Sequence, residues 1–196
     1  MPGWEMPDPV SHLPLLCEAE QSQLLVIDIQ QRLASAMPDK VLQAVTLHTG
    51  WLLQAASLLE VPVVRTEQYP RGLGNTLEEI SQHIEKDTRL EKTSFSCCGA
   101  EGFNDNLTKT NRRQIVITGM ESHVCVLQTA MQLKAMDYDV FVVSDATCSR
   151  DKRNHKNALQ RMAQAGVIIS NTESVMFEWL RDASHPQFKA VSQLLR

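Results

Sequence analysis

Ile115-Val116-Ile117-Thr118-Gly119-Met120-Glu121-Ser122-His123-Val124-Cys125-Val126 joins a short apolar run to a cysteine at the start of a helical pattern. β-Branched residues fill all four leading positions, as in a strand covered on both faces, and Gly119 punctuates its end. The pattern predicts a strand over 115–118 and a helix over 122–136. A thiol at that turn sits at the open end of a parallel sheet, with the first turn of a helix to favour its thiolate. Taken alone, Cys125 reads as a small buried residue. Its company changes that reading.

Outward from this stretch, apolar strand-like runs alternate with helical patterns. Strands are expected at 24–28, 61–66, 88–92, 140–144 and 167–169, and helices over 40–59, 77–84, 102–110 and 154–165. Two further helices follow from Glu173 to the end, the last of which either caps the domain or packs on another subunit. Repeated strand and helix units with nearly continuous apolar strands imply a parallel α/β sheet covered on both faces. Asp28 closes the first strand and Lys92 the third. In an open α/β sheet, ligands bind in the crevice beyond such carboxyl ends, so Asp28, Lys92 and Cys125 are three reactive side chains expected to converge.

Composition narrows the function classes. The chain has 196 residues, 43% of them hydrophobic, enough for one domain with an ordinary core. Residues 1–20 read as an irregular arm with four prolines and no Lys or Arg, leaving 21–196 as the single domain. A formal net charge of -4 and no basic block give nucleic acid no electrostatic footing. No apolar run approaches the roughly 20 residues of a membrane span. The five cysteines are odd in number and irregular in spacing, which argues against a disulfide framework and for a reducing cytoplasm.

Five motifs in order, Asp28-Ile29-Gln30, Thr66 to Gly74, Glu91 to Ser96, Gly119 to Val126 and Ser144 to Arg150, resemble the isochorismatase-like cysteine hydrolases over nearly the whole chain from Leu24 onward. Within that family the chain is similar to isochorismatase domain-containing proteins of unassigned substrate. The resemblance implies a three-layer α/β/α sandwich with a six-stranded parallel sheet and a triad of Asp28, Lys92 and Cys125. It also implies an oxyanion hole from the backbone N–H groups of Glu121 and Cys125, a cis peptide between Met120 and Glu121, and a homo-oligomer. The chemistry implied is hydrolysis of a small amide or related acyl compound through a covalent thioester.

The roles agree with elementary chemistry. A thiol ordinarily titrates near pH 8.5, so a neighbouring ammonium such as Lys92 is expected to raise its thiolate fraction. Asp28 is placed to take the thiol proton, return it to the leaving amine and later activate water. Gln30, Glu67, Tyr69 and Phe95 lie just past predicted strand ends and are the candidates for lining a substrate pocket. The loop 67–74 contains no histidine, and the six histidines of the chain show no paired ligand spacing, so no metal or other cofactor is expected. His123 sits two residues from Cys125, a spacing that points the two side chains to different helix faces. Cys97 and Cys98 read as bystanders, prone to oxidation. The alternatives are an idle binding or scaffold protein of the same fold, an isochorismatase acting on a vinyl ether, and nucleic-acid cleavage.

Overall fold

A computed structural model describes residues 16–84 and 89–195 of the chain. Six strands, β1 (Ser22–Ile27), β2 (Val63–Gln68), β3 (Arg89–Lys92), β4 (Gln114–Met120), β5 (Asp139–Cys148) and β6 (Ile168–Ser170), form one parallel sheet in the order β3-β2-β1-β4-β5-β6. The helices are α1 (Gln31–Ala34), α2 (Asp39–Leu58), α3 (Pro70–Leu73), α4 (Glu78–Ser81), α5 (Phe103–Lys109), α6 (Leu127–Ala135), α7 (Lys152–Gln164), α8 (Thr172–Leu180) and α9 (Phe188–Gln193).

The strands read as continuous apolar runs because both faces are covered. Along β1, Leu24 and Val26 join the core beneath α2, α8 and α9, whereas Leu25 and Ile27 join the core beneath α5, α6 and α7. The result is the three-layer α/β/α sandwich. Among the described residues, no helix is long and apolar enough to cross a membrane.

The chain lays β1, β2 and β3 outward to one edge, then returns to place β4 on the free side of β1. The carboxyl ends of β1 and β4 therefore flank the point where strand order reverses, the usual place for a crevice in such sheets. Close contact of the two strands is written into Gly119, which pairs with Ile27. Gly119 has φ 123, and a Cβ there would run into the Ile27 carbonyl oxygen.

Several boundaries differ from the sequence reading, among them β2, expected at 61–66 and observed at Val63–Gln68. β5 runs on to Cys148 because a register shift past Ile117 lets Thr147 and Cys148 pair with Gly119 and Met120. Asp28 lies just outside β1 with φ 51, bending the chain away from the sheet. Residues 1–15 of the expected arm and 85–88 before β3 lie outside the described residues. The arm's described end is docked rather than irregular: Ala19–Gln21 form a short 3-10 turn, and the Cys17 backbone N–H donates to Glu178 Oε2 at 2.7 Å. At the other end, Val191 of α9 is buried in the chain's own core, and Leu194 and Leu195 pack against it.

Candidate active site

Asp28, Lys92 and Cys125 meet beyond the carboxyl ends of β1, β3 and β4. Lys92 Nζ donates to Asp28 Oδ2 at 2.6 Å, and neither side chain is exposed to solvent. A buried ion pair survives only when its remaining polar atoms are satisfied. Here they are. Thr66 Oγ1 donates to Asp28 Oδ1 at 2.8 Å, while Lys92 Nζ also donates to Gln68 Oε1 at 2.7 Å and to the carbonyl of Phe95 at 3.1 Å. Lys92 spans the sheet from β3 to β1, and Gln68, its register partner on β2, holds it in mid-reach.

Charge follows from this geometry. Burial pulls the Lys92 ammonium down, but Asp28 and the neighbouring thiols Cys97 and Cys125 outweigh it, so the group is held above its ordinary value and stays cationic. The Cys125 thiol moves the other way from the expectation of an enhanced thiolate. Burial pushes it far up, the adjacent Asp28 carboxylate adds to the rise, and Lys92 only partly opposes them. Two structural reasons explain the correction. Lys92 is committed to Asp28, and Cys125 is the fourth residue of a π-helical turn, Ser122–Val126, which precedes α6. Burial and the Asp28 carboxylate thus oppose ionisation of the Cys125 thiol, while Lys92 Nζ stays bound to Asp28 at 2.6 Å.

The turn bearing Cys125 is anchored on several sides. The Met120–Glu121 peptide is cis. The Glu121 carbonyl accepts from the N–H groups of Val124 at 3.0 Å and Val126 at 3.3 Å. Its carboxylate faces the β5–α7 connection, where Oε2 accepts from the Arg150 backbone N–H at 3.0 Å and Oε1 lies 3.3 Å from the Arg150 guanidinium. Ser122 Oγ meets His155 Nδ1 at 2.8 Å, and His123 Nδ1 meets Ser149 Oγ at 2.9 Å. His123 thus braces a loop and leaves the thiol to Asp28.

The expected pocket residues divide. Gln30 is fully buried, and its amide is spent on the backbone: Oε1 accepts from Gln68 N–H at 2.7 Å, and Nε2 donates to the carbonyls of Gln68 at 3.0 Å and Gly74 at 2.6 Å. Glu67 is also turned inward, where Oε1 accepts from the Thr76 N–H at 2.8 Å and its hydroxyl at 2.7 Å. Both therefore shape the loop after β2 instead of lining a pocket. Tyr69 is half exposed and lines a cavity of about 380 Å³ with Arg71, Lys92 and Thr93. Phe95 contributes its carbonyl to Lys92, and its ring is exposed.

Sequence reasoning missed Thr66, Gln68 and Cys97. Gln68 and Lys92 are polar residues closing adjacent parallel strands, a coincidence that the strand order would have exposed. Cys97 is no oxidation-prone bystander: it is fully buried, 3.6 Å from Thr66 Oγ1, and burial pushes its thiol up to about 12. Cys98 is partly exposed. Among the described residues, no three His, Cys, Asp or Glu side chains gather as a metal site.

The isochorismatase domain model matches residues 22–174. Isochorismatase family protein 1B of Dictyostelium discoideum is 36% identical over 177 residues, covering 88% of this chain and 84% of that protein. The secreted isochorismatase effector Isc1 of Phytophthora sojae is 38% identical, covering 89% and 84%. Among solved structures, the MAR1 ribonuclease from Caenorhabditis elegans superposes with a TM-score of 0.85 at 33% identity, covering 92% of each chain.

Proposed function

Because the chain belongs to the isochorismatase family of hydrolase-fold proteins, we propose that it hydrolyses a small amide or related acyl compound by covalent cysteine catalysis. The observation that carries this reading is the buried Asp28 carboxylate, shared between the Lys92 ammonium, the Thr66 hydroxyl and the Cys125 thiol. A structural ion pair has no need of a thiol on its anionic face.

Cys125 Sγ attacks the carbonyl carbon as its proton passes to Asp28. The backbone N–H groups of Glu121 and Cys125 receive the developing oxyanion, and Lys92 holds Asp28 in place. Asp28 then returns the proton to the departing amine, leaving an acyl thioester. Water attacks that thioester with Asp28 as its base, the acid leaves, and the proton goes back to sulfur. One amide and one water give one acid and one amine, with no metal or other cofactor in the scheme. The neutral resting thiol suits this sequence, since deprotonation is coupled to attack.

Five free cysteines support a reducing cytoplasm, and the exposed apolar Leu47 and Phe177 offer surface for a homo-oligomer. The test of function is a panel of small amides assayed for released amine, with intact mass to trap the acyl enzyme. Turnover by the wild type and none by Cys125→Ser is expected. Equal release by both proteins across the panel would overturn the reading.

A second reading, RNA cleavage, draws on the solved relative described as a ribonuclease. Phosphate binding depends on Lys and Arg, and a net charge of -4 weighs against it. A salt-sensitive RNA shift on a native gel would bring it forward.

A further inference from the structure

A second cavity, of about 380 Å³, opens at the carboxyl end of β5, between the first turns of α2 and the start of α7. Its size lies at the lower end of ordinary ligand sites, roughly 300 to 1,000 Å³. Neither Cys125 nor Lys92 lines it. One wall is apolar: Val41 and Ala44 lie on one flank of α2, and Cys148 faces them from the strand. The rim is cationic, with Lys40 at the start of α2 and Arg150 and Lys152 on the stretch that leads from β5 into α7.

The one carboxylate in the lining is already engaged. Asp145 Oδ1 accepts from the Thr172 backbone N–H and hydroxyl, each at 2.9 Å, and Oδ2 lies 3.5 Å from His48 Nδ1. His155, also in the lining, is tied to Ser122. Arg150 is ordered before any ligand arrives, because Glu121 grips both its backbone N–H and its guanidinium. Glu121 occupies one edge of the Arg150 guanidinium, so the donors left to a carboxylate are the rest of that group and the two exposed ammonium groups of Lys40 and Lys152, and the apolar wall matches a hydrocarbon or aromatic body.

We infer that this cavity is a binding site for a small organic carboxylate, distinct from the crevice that holds Cys125. The apolar wall favours such a molecule over a bare anion, and the rim favours it over a neutral isostere. Nothing in this inference requires the thiol chemistry.

Calorimetric titration of the intact chain with benzoate, benzyl alcohol and inorganic phosphate tests it. Benzoate should bind at one site, about tenfold or more tighter than either comparison probe, and equally well to the Cys125→Ala chain. Replacing both rim lysines, Lys40→Ala with Lys152→Ala, should weaken benzoate about tenfold. These side chains are exposed, so the fold is not at stake. Ala44→Trp should abolish binding by filling the cavity. Phosphate binding as tightly as benzoate, benzoate lost from Cys125→Ala, or benzoate unaffected by the lysine substitutions would each overturn the inference. So would no binding by any probe together with a smaller sedimentation mass for Lys40→Glu, which would assign this face to contact between copies of the chain.

Discussion

Two carboxylate–cation pairs in this molecule have almost the same length and opposite significance. Lys92 and Asp28 meet at 2.6 Å with no solvent exposure, whereas Arg153 and Asp151 meet at 2.7 Å with the arginine side chain 91% exposed. Water already solvates the second pair, so its Coulomb attraction is screened and its ordering entropy is lost for little return. The first pair has no such refuge. Each of its ions depends on the other and on Thr66, Gln68 and the Phe95 carbonyl, which is why the pair can sit out of water beside the Cys125 thiol. Distance alone therefore says little about what an ion pair does.

The comparison breaks most visibly at Lys92. Lys92→Ala strands the Asp28 carboxylate in a dry site and should cost about 3 to 5 kcal/mol of stability, read as a lower denaturant midpoint. The matching change at the surface, Arg153→Ala, should leave that midpoint where it was. A large shift in the second protein, or none in the first, would erase the distinction.

A smaller loss is expected at Gln30, whose amide joins the loops after β1 and β2. Gln30→Ala leaves the Gln68 N–H and carbonyl without that partner, for about 1 to 3 kcal/mol. It should also lower activity by releasing Gln68 from its place on Lys92, since the Gln30 amide is spent on backbone groups. Unchanged stability would mean that water replaces the amide freely.

The buried thiols sharpen the contrast by pH. Cys97 and Cys148 are both pushed up from 9.0 to about 12 by burial. The neutral form is thus favoured in the folded state, and this stabilisation is complete below pH 9, the unfolded value. As pH rises through 9 towards 12, the unfolded chain ionises first, so stability should fall by up to about 1.4 kcal/mol per pH unit for each such thiol. Cys148→Ala should flatten the alkaline slope of a denaturation series. A slope identical to wild type would place that thiol in water.

Much of this was legible from residue types. Continuous apolar strands implied two covered faces, and Asp28 and Cys125 stood out because each follows an apolar run, whereas Lys92 closes the polar run Thr88-Arg89-Leu90-Glu91 and stood out only in company with the other motifs. What stayed hidden depends on strand order. Lys92 reaches Asp28 across β2, and no local pattern says which strand lies between them. The same gap concealed Gln68 and Cys97, and it made Gln30 and Glu67 look like pocket residues when their side chains turn inward to backbone and Thr76. β5 looked short because Asp145 and Thr147 interrupt its apolar run. The thiol's environment was misjudged for a related reason: sequence placed a cation and a helix near Cys125 without showing that the cation already had a carboxylate.

The most direct test of the central claim is the pH dependence of Cys125 alkylation by iodoacetamide, followed by peptide mass, in wild type and Asp28→Asn. Removing the carboxylate removes a charge that opposes the thiolate and leaves Lys92 to favour it. Wild type should therefore alkylate slowly at neutral pH with an apparent pKa above 9, and Asp28→Asn should react faster at neutral pH while losing amide turnover. A wild-type pKa below 8, unmoved by Asp28→Asn, would show that the carboxylate does not govern the thiol and would remove Asp28 as its base.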